Sequence, residues 1–175
     1  MTPREPATPV LALPSGERAT LRPISPDDVA IETAFVDGLS PQASYNRLFS
    51  VRKPGPEEIW RWTHVDQRCE VAWVAVAERA AGTVMLGVAR YVRVACGDDA
   101  EFAIVVADEA KRMGVGRALL QALVDEARRA GVATLWGTTF VTNAGMLGLG
   151  RALGFRAGRE PGDATLARLT MDFRA

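Results

Sequence analysis

The 175-residue sequence is poor in the residues that announce metal, redox or nucleic-acid chemistry. It holds one histidine, His64, and two cysteines, Cys69 and Cys96, without CxxC or Cys/His spacing. A zinc site needs three or four such ligands, so no metal is expected. Nothing in the spacing supports a disulfide, and two unpaired buried thiols in a cytoplasmic protein are the expectation. Charge of one sign is also missing, since 21 Lys and Arg oppose 21 Asp and Glu. Neither a nucleic-acid nor a membrane-surface partner is therefore expected, because both call for a basic excess. No run approaches the roughly 18 apolar residues of a membrane helix. The proline-broken N-terminus lacks the charged-then-apolar layout of a secretory leader. What remains is 48% hydrophobic residues in a chain of single-domain length. Such a domain buries roughly 70% of its unfolded surface, enough for a core without staples.

The pattern along the chain predicts an α+β domain. Residues 1–14 read as a flexible N-terminal tail and 15–175 as one domain. Alternation of Ala19 and Leu21 with Arg18, Thr20 and Arg22 marks a first strand ending at Pro23. Ser25-Pro26-Asp27-Asp28 opens a helix, with a capping serine, proline at the first position and acids where the dipole favours them. Short helices follow over 41–49 and from Pro56. The apolar runs 70–77, 83–94 and 101–107, joined by turns at Gly82 and Gly97, form an antiparallel meander. Their continuity predicts helices on both faces of the sheet. Residues 114–130 switch to a helical period and end at Gly131. A strand over 134–141 then completes a βαβ crossover, parallel and right-handed. Asn143 caps a further helix, and two last strands fill 155–159 and 164–173. The sum is a mixed sheet of six to seven strands.

Chemistry concentrates in Lys111-Arg112-Met113-Gly114-Val115-Gly116-Arg117-Ala118. A strand enters this turn and a long helix leaves it. The first amides of a helix are unpaired and carry the positive end of its dipole. Glycines let that backbone approach a ligand closely. Together they make a phosphate or pyrophosphate site, with Lys111, Arg112 and Arg117 adding charge. The P-loop run GxxxxGK[ST] is absent, and a dinucleotide fingerprint fails at Leu119, where a third glycine belongs. A tight strand-to-helix turn with no ligand is the plainer alternative.

The stretch EFAIVVADEAKRMGVGRALL resembles motif A of the GNAT N-acetyltransferase superfamily, in which Arg/Gln-x-x-Gly-x-Gly/Ala grips the pyrophosphate of acetyl-CoA. Lys111 replaces the usual Gln or Arg, keeping charge but losing the planar fork. The likeness extends through Asn143, Leu147 and Leu153-Gly154-Phe155, over about residues 17–173. LRPISPDD, LSPQASYNRLF, AEFAIVV and LGF…PGDATLARLTMDF further resemble the Pat-type bacterial protein lysine acetyltransferases. Those catalytic domains are often fused to sensor or synthetase-like domains for which 175 residues leave no room, so target and regulation are expected to differ.

The resemblance implies acetyl transfer from acetyl-CoA to an amine, with a protein lysine as the leading acceptor. A lysine amine of pKa near 10.4 is neutral about once in a thousand at pH 7.5, a handicap of about 4 kcal/mol. A general base relieves part of it, and donors must meet the oxyanion. Glu101 stands where many of these enzymes carry the glutamate base; a solvated strand-end acid is its plainer reading. His64 is the runner-up. Asp98, Asp99, Asp108 and Glu109 join Glu101 in an acid-rich stretch that would either form an acidic mouth or a solvated turn. The resemblance assigns backbone groups of Ile104, Val105 and Val106 to the pantetheine and oxyanion, and loop donors to Arg112 through Ala118. Asn143 would contact the pantetheine, or act as a helix cap only. Many relatives place a thiolate-protonating tyrosine four residues before the Leu-Gly-Phe glycine; here that residue is Gly150, so no general acid is assigned. A small-molecule amine acceptor and a non-catalytic acyl-CoA sensor stay open, and the oligomeric state is unreadable.

Overall fold

The computed structural model describes residues 9–48 and 52–174. Eight strands form one mixed sheet in the order β1-β2-β3-β4-β5-β6-β8-β7. They span Val10–Ala12, Arg18–Pro23, Glu70–Arg79, Gly82–Arg93, Asp99–Val106, Thr134–Phe140, Arg156–Glu160 and Asp163–Asp172. Among the described residues, five α-helices accompany them: α1 Val29–Gly38, α2 Pro41–Leu48, α3 Pro56–Thr63, α4 Val115–Arg129 and α5 Ala144–Ala152. The α+β class, the meander and the βαβ unit are as expected. Phe49, placed at the end of a helix from sequence, and residues 1–8 of the expected tail lie outside the described residues.

The sheet is one strand larger than expected because the tail contributes β1. Val10, Leu11 and Ala12 pair with Thr20, Ala19 and Arg18, and Leu13 is buried. Gly16, at φ 85°, closes the turn, where its amide donates to the Leu13 carbonyl at 2.9 Å. Pro9 and Pro14 flank the strand instead of breaking it, which suits an edge position.

Two apolar layers sandwich the sheet. On one face α4 buries Val115, Leu119, Leu120, Leu123, Val124 and Ala127 against β3, β4 and β5. Each large side chain there contributes about 1.5–3 kcal/mol of burial. On the other face α1 seats Phe35 and Val36 over Val74, Val88 and Val105. Ser25 caps the 3₁₀ turn before α1, and the Asp28 carboxylate in turn accepts from the Ser25 amide at 2.8 Å. Under α1, Arg90 lies 3.7 Å from Glu32, both nearly inaccessible, with Trp62 stacked on the guanidinium at 5.5 Å.

The cysteines are corrected by the fold. Cys69 and Cys96 form a disulfide with Cα atoms 5.1 Å apart, Cys69 half-buried and Cys96 exposed. Their separation of 27 residues conceals that the entrance to β3 and the exit of β4 are neighbours, as the Arg93 amide bond to the Cys69 carbonyl at 2.8 Å shows.

Candidate active site

The parallel partners β5 and β6 stay paired over three residues only, Asp99 to Glu101 against Thr134 to Trp136. Beyond that they part. Gly137 marks the point of divergence: a Cβ there would sit 2.7 Å from the Phe102 ring and 2.8 Å from its carbonyl oxygen. Only glycine lets the Phe102 side chain lie against β6 at the apex of the V.

The opening is a cleft of about 700 Å³. Glu101, Phe102, Ala103, Ile104, Val105 and Val106 form one wall; Gly137, Thr138, Thr139, Asn143, Met146 and Leu149 form the other. Lys111, Arg112, Gly114, Gly116 and Arg117 close its far end, while Ala43 and Asn46 of α2 overhang it.

Strand alternation decides which backbone groups face the opening. The Ala107 amide donates to Leu86 on β4 at 2.8 Å, so Val105 and Ala103, two and four residues earlier, also turn theirs to β4. Beyond the last paired residues, Ile104 and Val106 turn their amides and carbonyls toward β6, where no strand receives them. Ile104 and Val106 thus offer free backbone groups, whereas those of Val105 are spent within the sheet.

At the far end the chain takes two left-handed steps, Arg112 at φ 61° and Gly114 at φ 87°, before α4 begins. Such alternation gathers successive amides into one concavity, at the positive end of a 15-residue helix. The Ala118 amide is not among the free ones, since it donates to the Gly114 carbonyl at 2.9 Å. Val115 is fully buried and Met113 and Ala118 pack against the core, so their side chains stay out of the cleft. Lys111 is engaged by Asp108, which also accepts from the Ser40 amide at 3.0 Å. The Lys111 ammonium, with these Ser40 contacts, holds the Asp108 carboxyl below its ordinary value against a weaker opposing effect of burial. Arg112 and Arg117 form no ion pair among the described residues.

Glu101 lies at the apex end of the cleft, exposed, beside its register partner Trp136. Arg168 of β8 stacks over Trp136 at 4.2 Å and forks onto Glu160 with bonds of 2.8 and 2.6 Å. Glu160, and to a lesser degree the field of Glu101, strengthens the hold of Arg168 on its proton. Trp136, Thr138, Arg168 and Thr170 share one half-exposed sheet face. Tyr45 of α2 stacks on Phe140 at 5.1 Å along its border.

Other expectations are redirected. The acids of residues 98–109 form no single mouth: Asp99 meets Arg174 at one end of β5, while Asp108 and Glu109 meet Lys111 and Arg79 at the other. His64 stacks on Trp60 at 4.0 Å and does not line the cleft. Asn143 both caps α5, accepting the Met146 amide at 3.1 Å, and lines the cleft. Gly150 carries no side chain for a physical reason: a Cβ there would lie 2.7 and 2.9 Å from the methyls of Leu169. The β6 wall went unnoticed in the sequence; the one local signal was Gly137 interrupting an otherwise unbroken strand pattern.

Comparison with known proteins agrees with this fold. The chain is 28% identical to an acetyltransferase of Pseudomonas aeruginosa over 157 residues, 89% of this chain and 84% of the relative. It is 46% identical to the [Ribosomal protein bS18]-alanine N-acetyltransferase of Escherichia coli over 54 residues, 31% of this chain and 36% of that protein. The crystal structure of the GNAT domain of S. lividans PAT superposes with a TM-score of 0.84 at 26% identity, over 97% of this chain and all of that one. That superposition accords with the Pat-type likeness of the sequence. No helix among the described residues is long and apolar enough to cross a membrane. Acetyl-CoA is the acyl donor of the fold family. With the Acetyltransferase (GNAT) family matched over residues 39–155, the chain belongs to the GNAT family and is an N-acetyltransferase.

Proposed function

We propose that this enzyme acetylates lysine side chains of cytoplasmic proteins by direct attack of the amine on acetyl-CoA, with Glu101 as general base. The observation that carries the reading is the V between β5 and β6, with an amide-lined anion cradle at one end and a carboxylate at the other. The pyrophosphate rests on the unpaired amides between Arg112 and Arg117, and the side chains of Lys111, Arg112 and Arg117 answer its charge. The pantetheine follows β5, bonded to the free backbone groups of Ile104 and Val106 and touched by Asn143. The same free groups polarise the thioester carbonyl and meet the oxyanion. Glu101 takes a proton from the bound ammonium, freeing the lone pair that attacks and removing part of the deprotonation handicap.

The acceptor side favours a macromolecule. A small-molecule site encloses most of its ligand. Here the face holding Trp136, Thr138, Arg168 and Thr170 stays half-exposed beside Glu101. A protein surface can lie on it while one lysine enters the V. The local identity to the E. coli bS18-alanine enzyme favours a second reading, in which the acceptor is the α-amine of a protein N-terminus.

The test combines thiol release with mass spectrometry of cell proteins incubated with acetyl-CoA and this enzyme. Acetylated lysines are expected; acetylated N-termini alone would select the second reading. Transfer confined to small amines would overturn both. Glu101→Gln is expected to lower kcat by about 100-fold or more, with CoA affinity unchanged. Unaltered turnover would remove Glu101 from the mechanism.

A further inference from the structure

Thr139 carries a hydroxyl hydrogen with no acceptor among the described residues. The residue is only 4% exposed and lines the cleft between Thr138 and Asn143. Its Oγ1 accepts a hydrogen bond from Asn143 Nδ2 at 3.1 Å. That amide cannot turn round, because its Oδ1 accepts the Met146 N–H that caps α5, at 3.1 Å. One lone pair of the hydroxyl is therefore occupied, and its single hydrogen is left for whatever fills the cleft. A nearly buried donor with no acceptor from the protein is placed to bond an atom that lies in the cleft beside it.

Among the described residues, the other place and the other hydroxyl for this role are spoken for. Among the described residues, Thr138 is the only other hydroxyl lining the cleft, and it donates to Glu160 Oε2 at 3.4 Å on the opposite sheet face. Position 150 of α5 is closed to any side chain by Leu169.

We propose, resting on the acetyl-transfer reading above, that the Thr139 hydroxyl donates a hydrogen bond to the CoA sulfur as it leaves. The amine lone pair forms the C–N bond, and the C–S bond breaks with its electron pair going to sulfur. Two protons leave the nitrogen, one from the ammonium before attack and one from the tetrahedral intermediate, and each passes through Glu101 to water, so CoA departs as a thiolate. Thr139 keeps its proton throughout; it stabilises the charge and does not transfer a proton. A thioester sulfur is a poor acceptor and a thiolate a strong one, so the bond strengthens toward the transition state. Donation from Asn143 into Oγ1 polarises the O–H in the same direction.

Two readings test this on the full chain: the ionisation of bound CoA thiol, followed by thiolate absorbance, and kcat with acetyl-CoA and a saturating amine. Thr139→Val is expected to shift the bound thiol about tenfold toward its protonated form and to lower kcat about 10- to 100-fold. Affinity for CoA at a pH where the thiol is protonated should stay within about twofold, since binding of the neutral thiol gains little from this donor. Thr139→Ser should restore both quantities. Thr139→Ala replaces the valine variant if circular dichroism shows the latter misfolded. Parent-like thiol ionisation in the variant, or failure of serine to rescue, overturns the proposal while leaving acetyl transfer standing. A parent that ionises the bound thiol through Thr139 but acetylates no amine instead overturns the acetyl-transfer reading, and the catalytic role with it.

Discussion

Two glycines in α5 provide an internal control on why this enzyme lacks a side chain at position 150. Gly148 has open space around a would-be Cβ, whereas at Gly150 that atom would meet Leu169 at 2.7 and 2.9 Å. Both sit inside the same helix. Replacing either with alanine gains about 1 kcal/mol of helix propensity. At Gly150 the added methyl must also displace the side chain of Leu169, which is 1% exposed, at a cost of about 1–3 kcal/mol. Gly148→Ala should therefore stabilise by about 1 kcal/mol, and Gly150→Ala should fall between neutrality and a loss of about 2 kcal/mol. Leu169→Ala alone costs about 2–5 kcal/mol through the cavity it leaves. In that background Gly150→Ala should turn stabilising, a coupling of about 1–3 kcal/mol in a double-mutant cycle. Urea unfolding of the four proteins measures each term. If Gly150→Ala stabilised as much as Gly148→Ala, Leu169 would not be what bars a side chain there.

Three further outcomes follow from the same geometry. Reducing the Cys69–Cys96 disulfide opens a loop of 27 residues and should cost about 3.5 kcal/mol, read as a lower urea midpoint in dithiothreitol that Cys69→Ser reproduces without reductant. Parent-like stability under reduction would refute the bridge. Burial raises the Asp28 carboxyl, but the fork from Arg22 and the Ser25 amide outweigh it and leave the folded value depressed. Its stabilisation is complete above the ordinary carboxylate range and fades as pH falls through the folded value. Asp28→Asn should thus cost about 1.5–3 kcal/mol at pH 7, with the gap to the parent closing below about pH 4; a constant gap would contradict the linkage. Gly114→Ala has room for its methyl but must hold φ 87°, so it should lose about 1–2 kcal/mol of stability in thermal melts.

The parts legible in the sequence were those written in contiguous residues. The run from Glu101 to Leu120 holds strand, turn and helix in order, and all three stand where the pattern put them. Ser25 and Asn143 were recognisable as caps because a cap acts within three residues of itself. What stayed hidden depends on contacts across the chain. The β6 wall forms only because Gly137 lets Phe102 close on it from 35 positions earlier. Which of Ile104, Val105 and Val106 offers its backbone depends on the register with β4, which no run of apolar letters encodes. The acids near Glu101 looked like a cluster in sequence and divide between the two ends of an eight-residue strand. β1 escaped notice because prolines read as breakers unless the partner strand is known.

The central claim is that the amides between Arg112 and Arg117 hold the diphosphate of CoA inside the β5–β6 cleft. Calorimetric titration of CoA into the parent and into Gly116→Val tests it most directly. A Cβ at Gly116 has ordinary contacts with Val106 and Leu149 at 3.4 and 3.6 Å, but valine branches would project into the cleft both residues line. Saturable binding by the parent, weakened at least about tenfold (about 1.4 kcal/mol) in the folded variant, is the predicted result. Equal affinity in the two proteins, or no heat with either, would contradict the claim.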